Sequence, residues 1–492
     1  MLTRRLPAML IVLVLLFSHA AAQPPEPTLT PLLRSVDLAV GQSQEVELSN
    51  GKRVAVKLLR IEDTTDSVRQ AVREARAEVE VAGEKVWLAS ANYRLPVTVA
   101  GVQIDCPITK AIYRNANDES WGLEKDARLR LWPAGSPLAT PGTFVYPIRQ
   151  TWFASDTQMA NEPCYVDAAE RSTAPVYYHC GLDFGGCEGL TEVLAATDGL
   201  VVSSANRTLP GYDDTPVKTR ADVIYVLDAR GWYYRYSHLY RIDDRIAPGA
   251  LVRMGERLGL VGKEGSSGGW THLHFDIFSR QPSGKWGCQE AYAFAWEAYQ
   301  KQYQPKLLAV ARPHHFLRAG EKATLDGSRS WSAEGKINRY EWTFTDGTKA
   351  AGEKVERHYA KPGYYSEILK ITDAAGRMAY DFAVVVVADE KGRVPPTVHV
   401  TYDPTIGIKP GDEITLKART FGTTDGKETW DLGDGSPPLT TQSDGNAVSH
   451  AKDGYVVVKH RYARPGNFLV AVQRTNRHGV TATGRVCVHV DQ

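Results

Sequence analysis

Past its first 22 residues the chain has no second apolar run of membrane-spanning length. A span needs about 20 consecutive apolar residues, so no transmembrane segment is expected in the mature chain. It also lacks an excess of charge of either sign: 58 basic residues face 57 acidic ones, for a net charge of +1. That balance offers no footprint for nucleic acid and no acidic tail. Cysteine is sparse, six in 492 residues. No G-x-S-x-G turn, phosphate loop or glycosidase carboxylate pair stands out. Serine hydrolysis and phosphoryl transfer therefore have no footing in the sequence.

What is present begins with MLTRRLPAMLIVLVLLFSHAAAQ. Arg4 and Arg5 precede an apolar run from Met9 to Phe17, and the small residues Ala20, Ala21 and Ala22 follow. This is the three-part layout of a secretory signal peptide with cleavage after Ala22, so a periplasmic, cell-surface or secreted protein is expected. Residue 23 is Gln rather than Cys, and lipoprotein anchoring is not indicated. In an exported chain cysteines are expected as disulfides. Cys164, Cys180, Cys187 and Cys288 cluster in one segment, and four cysteines permit three connectivities. The preferred set is Cys180–Cys187 with Cys164–Cys288. Cys106 and Cys487 lie far off and either pair across domains or stay free.

The organisation reads as mainly all-β and multidomain. Residues 23–142 are a β-rich domain of unassigned role. Within it QEVELSNGKRVAVKLLRI forms two alternating runs around Asn50-Gly51, a hairpin signal. DSVRQAVREARAEVEV starts with helical character and turns to strand-like alternation. Proline and glycine cluster in WPAGSPLATPGT, marking a boundary. Residues 143–304 form a second β-rich unit ending in EAYAFAWEAYQKQY, which has good helix formers and no Gly or Pro. The remainder repeats itself: EWTFTDG and HYAKPGYY reappear as TWDLGDG and HRYARPGNF. Two β-sandwiches fit this spacing, at 305–390 and 391–492, joined near DEKGRVPP. These copies resemble PKD (polycystic-kidney-disease-type) domains, with their W-x-F-G-D-G-like motif. Trp430 opens a close match, while the copy at Trp342 has Thr in place of the first Gly. The resemblance implies immunoglobulin-like sandwiches, acting as spacers or binding a wall or surface.

The chemistry gathers around THLHFDIF at 271–278, which follows the glycine-rich GLVGKEGSSGGW. Side chains alternate faces along a strand, so His272, His274 and Asp276 share one face. An isolated H-x-H is more often a surface pair than a metal site. VYYHCGLDFGG adds His179 and Asp183, with Gly181 between them leaving room for an ion. Two imidazoles, one carboxylate and a water make an open tetrahedral zinc site. His238 follows the strand-like run VIYVLDARGWYYRYS and, taken alone, is more often a hydrogen-bonded surface histidine. His314-His315 is a bare pair without an acidic partner nearby in sequence. Asn206-Arg-Thr matches a glycosylation acceptor within a polar insertion that could rim a groove.

Taken in order, HxxxD, Y-x-H-L, a glycine-rich loop and HLHF resemble the lysostaphin-like (LytM-type) zinc metallopeptidases over about 145–300. The resemblance implies a β-rich zinc peptidase domain. It implies that His179, Asp183 and His274 bind one Zn2+ and that His238 and His272 are catalytic. A zinc-bound water loses its proton near neutral pH, and a neutral imidazole can accept it. The family commonly has Glu where Asp276 stands, so Asp276 is a candidate for orienting a histidine from behind. Cys180 and Cys187 flank Asp183 and, as thiolates, would compete for zinc. The substrate implied is the peptide part of peptidoglycan, at cross-bridges or stem peptides. Two other classes stand beside this one: a silent or latent relative that regulates another wall hydrolase, and a surface adhesion protein. The N-terminal domain reads either as a wall-binding module or as an inhibitory cap.

Overall fold

The computed structural model describes residues 24–90, 92–112, 120–155, 160, 162–165 and 176–492. The expected signal peptide lies outside these residues. Among the described residues no helix is long and apolar enough to cross a membrane.

The hairpin read around Asn50-Gly51 forms as strands Ser43–Glu47 and Arg53–Thr65, extended by Val72–Val81 and Glu84–Ala89 into a four-stranded sheet. A second four-stranded sheet runs in the order Arg34–Leu38, Ala127–Pro133, Val102–Thr109, Val97–Val99. Val54, Val56, Leu58, Ile104 and Leu129 fill the core between them. The helical start read in DSVRQAVREARAEVEV is overridden. Val72, Ala75, Ala77, Val79 and Val81 are buried, the last four at period two. Two flanking strands claim that backbone, and tertiary pairing outweighs the helix propensity of Glu, Ala and Arg.

The middle of the chain is built on an eight-stranded antiparallel sheet. Its path runs Leu182–Gly185, His272–Arg280, Tyr233–Ser237, Ile224–Leu227, Gly199–Ser204, Arg207–Thr208. Trp286–Gln289 pairs with the second half of the histidine strand. The run VIYVLDARGWYYRYS is a hairpin rather than one strand. It reverses between Leu227 and Tyr233, and Gly231 supplies the positive φ of +75° that the turn requires. The expected terminal helix forms as Tyr292–Tyr303. It buries Phe294, Trp296 and Tyr299 against Tyr146 and Trp152 in the largest core cluster. Aromatic pairs such as Trp152–Trp296, with centroids 5.3 Å apart, each add about 0.5–1.5 kcal/mol beyond area burial.

Both repeats are immunoglobulin-like sandwiches, each with its tryptophan, Trp342 or Trp430, fully enclosed. The indole N–H groups donate to Gly352 O at 3.0 Å and Thr441 Oγ1 at 2.8 Å. The sandwiches are not strung out separately. Strand Gly363–Asp373 of the first meets Thr481–Val490 of the second at Tyr364 and Ala482, joining both into one nine-stranded sheet. The N-terminal domain packs on the middle unit, where Arg130 donates to Glu290 O at 2.9 Å and Cys288 N–H donates to Ser120 O at 2.9 Å.

Candidate metal centre and active site

Register places the predicted residues side by side. On one edge of the histidine strand, Asp183 lies opposite His274 and Gly185 opposite His272. On the other edge, Ser237 lies opposite His274 and Arg235 opposite Asp276. Opposed residues share a face, so one sheet surface carries all of them. His179, just before the first strand, completes the group. Its Nε2 lies 2.9 Å from His274 Nδ1 and 3.1 Å from Asp183 Oδ1, and His274 Nδ1 lies 2.9 Å from the same oxygen.

The remaining ring nitrogens are already committed. His179 Nδ1 lies 3.0 Å from Ala160 O, and His274 Nε2 lies 2.9 Å from Asp276 Oδ2. The first contact calls for N–H on His179 Nδ1, leaving the Nε2 lone pair aimed at the shared point; N–H on His274 Nε2 toward Asp276 would turn the Nδ1 lone pair there as well. Two imidazole lone pairs and a carboxylate oxygen form the donor set of an open zinc site, with acceptors behind the ligands. The residues present fit the ion. Arg235 Nε lies 2.6 Å from Asp276 Oδ2 in an ion pair, so the carboxylate behind His274 is itself held. Arg235 Nη2 also lies 2.5 Å from His274 Nε2. A guanidinium N–H can only donate, so Arg235 and Asp276 compete for this nitrogen, and Nε2–H toward Asp276 is the form that frees Nδ1 for a metal.

His272 and His238 stand beside this group. His272 Nδ1 lies 3.0 Å from Trp270 O, and His272 Nε2 lies 3.5 Å from Asp183 Oδ2. His238 Nδ1 lies 2.6 Å from Glu264 O, and its backbone N–H donates to Asp222 Oδ2 at 3.1 Å. His238 occupies the left-handed region at φ +67°, at the crossing from Tyr233–Ser237 into Leu239–Ile242. The two rings have centroids 4.7 Å apart, each with Nε2 free of those carbonyls.

Environment sorts the four groups. Burial pushes His272 down to about 3, against the pull of Asp183, and burial lowers His238 as well. Both are neutral at pH 7. Burial would lower His274 too, yet the Asp276 carboxylate carries it up to about 9. Asp183 is buried, but His179 and His272 hold its carboxyl well below the usual range. The three histidines are thus separated by their neighbours rather than by residue type.

Residues 177–285 match the family model described as peptidase family M23, and residues 305–387 and 397–488 match PKD domain models. The chain carries an M23 peptidase domain followed by two PKD domains. M23 peptidases are metallopeptidases. Among curated proteins, Collagenase ColA of Clostridium perfringens (strain 13 / Type A) is 32% identical over 88 residues, 18% of this chain. The chain spans 8% of the length of that relative. Among solved structures, Helicobacter pylori Csd3 in its orthorhombic crystal is 11% identical, covering 53% of this chain and 82% of its own, with a TM-score of 0.21. A chimeric titin Z1Z2 tandem is 16% identical, covering 38% of this chain and 100% of its own, with a TM-score of 0.17.

One expectation for this region is corrected. The disulfide is Cys180–Cys288, across 108 residues, and Cys187 is a buried free thiol. The register explains why. Leu182–Gly185 and Trp286–Gln289 lie end to end along one edge of the histidine strand, which brings Cys180 to Cys288. Cys187 leaves from the opposite end, where its N–H donates to Thr191 Oγ1 at 2.9 Å. Cys180–Cys187 therefore does not form, Cys288 is not available to Cys164, and neither Cys180 nor Cys187 offers a thiolate to the metal group. In the first sandwich, the backbone N–H of His314 donates to Glu162 Oε2 at 3.0 Å, an acid far from it in sequence.

Sequence reading missed Arg235 and Asp222. Arg235 had a signal, since a charged residue alternates with Tyr234 and Tyr236 on a strand that must border H-x-H. Asp222, near the end of the polar insertion, had none. Among the described residues, no side chain of the N-terminal domain joins the metal group.

Proposed function

We propose that this chain is an exported zinc-dependent endopeptidase that hydrolyses peptide bonds in peptidoglycan cross-bridges or stem peptides. In this reading residues 1–22 are a signal peptide and 23–142 an N-terminal domain. Residues 143–304 are the catalytic domain, and 305–390 and 391–492 are sandwiches able to hold the enzyme at a wall or surface. One observation carries it. His179 Nε2, Asp183 Oδ1 and His274 Nδ1 lie within 3.1 Å of one another, with the neutral rings of His272 and His238 beside them.

A zinc ion held by these three residues would polarise the scissile carbonyl and make water acidic enough to attack near neutral pH. The chain's own residues do the rest. His179 and His274 hold their ligand nitrogens in place through Ala160 O and Asp276. Asp183 supplies a permanently ionised oxygen. His272 and His238 each present an unprotonated Nε2. One accepts the proton of the attacking water and returns it to the leaving amine, while the other stabilises charge developing on the carbonyl oxygen. Tyr236, behind the histidine strand, is locked to Ala196 N–H at 2.8 Å and keeps the sheet under the site rigid.

The test is digestion of purified peptidoglycan by the zinc-loaded mature chain, with His272→Ala beside it. Mass spectrometry should find fragments with new peptide termini that are absent from the variant digest. No release at one bound zinc per chain would overturn the proposal.

A further inference from the structure

The glycine-rich approach to His272 is held from outside its own domain. Gly265, Gly268 and Gly269 all have positive φ, at +63°, +67° and +87°, so this backbone has little intrinsic preference for one path. Four consecutive residues before His272 are fixed by the second sandwich. Asn446 Nδ2 donates to Gly268 O at 3.0 Å, and Arg419 Nη1 donates to Gly269 O at 2.8 Å. The Trp270 ring stacks on Phe421 with centroids 3.9 Å apart and planes 6° apart. Thr271 N–H donates to Tyr455 OH at 2.9 Å.

The holding groups are themselves built in. Arg419 is fully buried, paired to Asp444 through bonds of 2.8 and 2.6 Å. Tyr455 OH also bonds His399 Nδ1 at 2.7 Å, and His399 Nε2 meets Ser155 Oγ of the M23 domain at 2.9 Å. A Cβ at Gly269 would lie 2.3 Å from Asn446 Oδ1 and 2.8 Å from Arg419 Nη1, so the two domains meet with no gap there.

The consequence reaches the reacting group through one carbonyl. Trp270 O accepts the Nδ1 proton of His272, and that bond keeps Nε2 unprotonated and facing Asp183. We infer that Tyr455, Arg419 and Phe421 are positioning residues for His272, making the second sandwich a working part of the hydrolytic site rather than a spacer. This rests on the catalytic role proposed above for His272.

The experiment uses the full chain carrying Tyr455→Phe, which keeps the ring and removes the hydroxyl. Tyr365→Phe, which loses a hydroxyl bond to Lys361 O in the first sandwich, is the control. Four quantities are read: bound zinc, kcat and KM on peptidoglycan fragments, and amide hydrogen exchange over 262–272. We expect unchanged zinc and KM, a kcat lower by about 10- to 100-fold, and faster exchange at 268–272. Should Tyr455→Phe fail to fold, Asn446→Gly removes the Gly268 contact at a position whose φ of +58° suits glycine. It is expected to show the same pattern at smaller amplitude. Unchanged kcat or unchanged loop exchange would overturn the inference. If the wild-type chain binds zinc but hydrolyses nothing, the peptidase proposal fails instead, and the exchange difference alone decides whether the sandwich holds the loop.

Discussion

Asp276, buried, and Arg235, partly exposed, stand behind His274 as an ion pair, and their effect on a metal passes entirely through one ring. Asp276→Asn keeps the shape but weakens the acceptor for Nε2–H, so zinc affinity should fall by about 10- to 100-fold in chelator competition. Arg235→Met should act in the same direction by releasing the carboxylate. His238→Ala should leave zinc affinity near wild type while lowering the rate, because its ring lies beside the ligand group rather than in it. The proton on His274 gives a second expectation. With its value carried up to about 9, ligation by Nδ1 must displace a proton at neutral pH. Below pH 9 the free site is the more protonated state, so affinity falls as pH falls, by about tenfold per unit for one proton. Chelator competition at pH 7, 8 and 9 measures that slope, and a flat profile would show that His274 binds already neutral. The convergence of His179, Asp183 and His274 was legible because HxxxD and H-x-H put them at local spacings on strands. Arg235 and Asp222 were harder, since each matters only through a neighbouring strand whose register the sequence does not state.

Elements whose signal is local were read correctly, the turn at Gly231 excepted, and those set by distant pairing were not. The hairpin at Asn50-Gly51 and the helix Tyr292–Tyr303 depend on turn chemistry and propensity within a few residues. Val72–Val81 depends on two partners claiming its backbone, and Cys180–Cys288 depends on two strands meeting end to end. That disulfide closes 108 residues and anchors the segment that carries His179. Cys288→Ala should lower unfolding stability by about 2–4 kcal/mol in denaturant titration. It should also weaken zinc binding, since His179 is the proposed ligand nearest the cut tie. Gly181 sits in the same segment at φ +101°, and a Cβ there would lie 2.5 Å from Asp276 Oδ1 and 2.8 Å from Phe275 O. Gly181→Ala should therefore strain the backbone and push on Asp276 at once, with loss of zinc exceeding that of Cys288→Ala.

At the scale of the whole molecule, the repeat announced two sandwiches but not where the second one would sit. Its contacts with the M23 domain come from residues more than a hundred positions apart, such as Ser155 with His399 and Thr271 with Tyr455, and no local pattern encodes them. That interface contains its own response to acid. His399 is completely buried between Ser155 and Tyr455, with Arg419 and His272 also near, and burial pushes it down to about 3. An unfolded histidine titrates near 6.5. Between these values the unfolded chain binds the extra proton and the folded chain does not. Stability therefore falls as pH drops from about 6.5 toward 3, by roughly 1.4 kcal/mol per unit for each such histidine. His315, pushed by burial to about 4, adds to the same slope. Undocking the second sandwich would relieve His399 before the domains themselves unfold, and Trp270 would then leave its stack on Phe421. A change in tryptophan emission on acidification below pH 6, preceding the loss of β-sheet circular dichroism, is the expected result. His399→Gln, which cannot titrate, should shift that early change to lower pH. An emission change that coincides with global unfolding in both chains would show that the interface has no separate acid response.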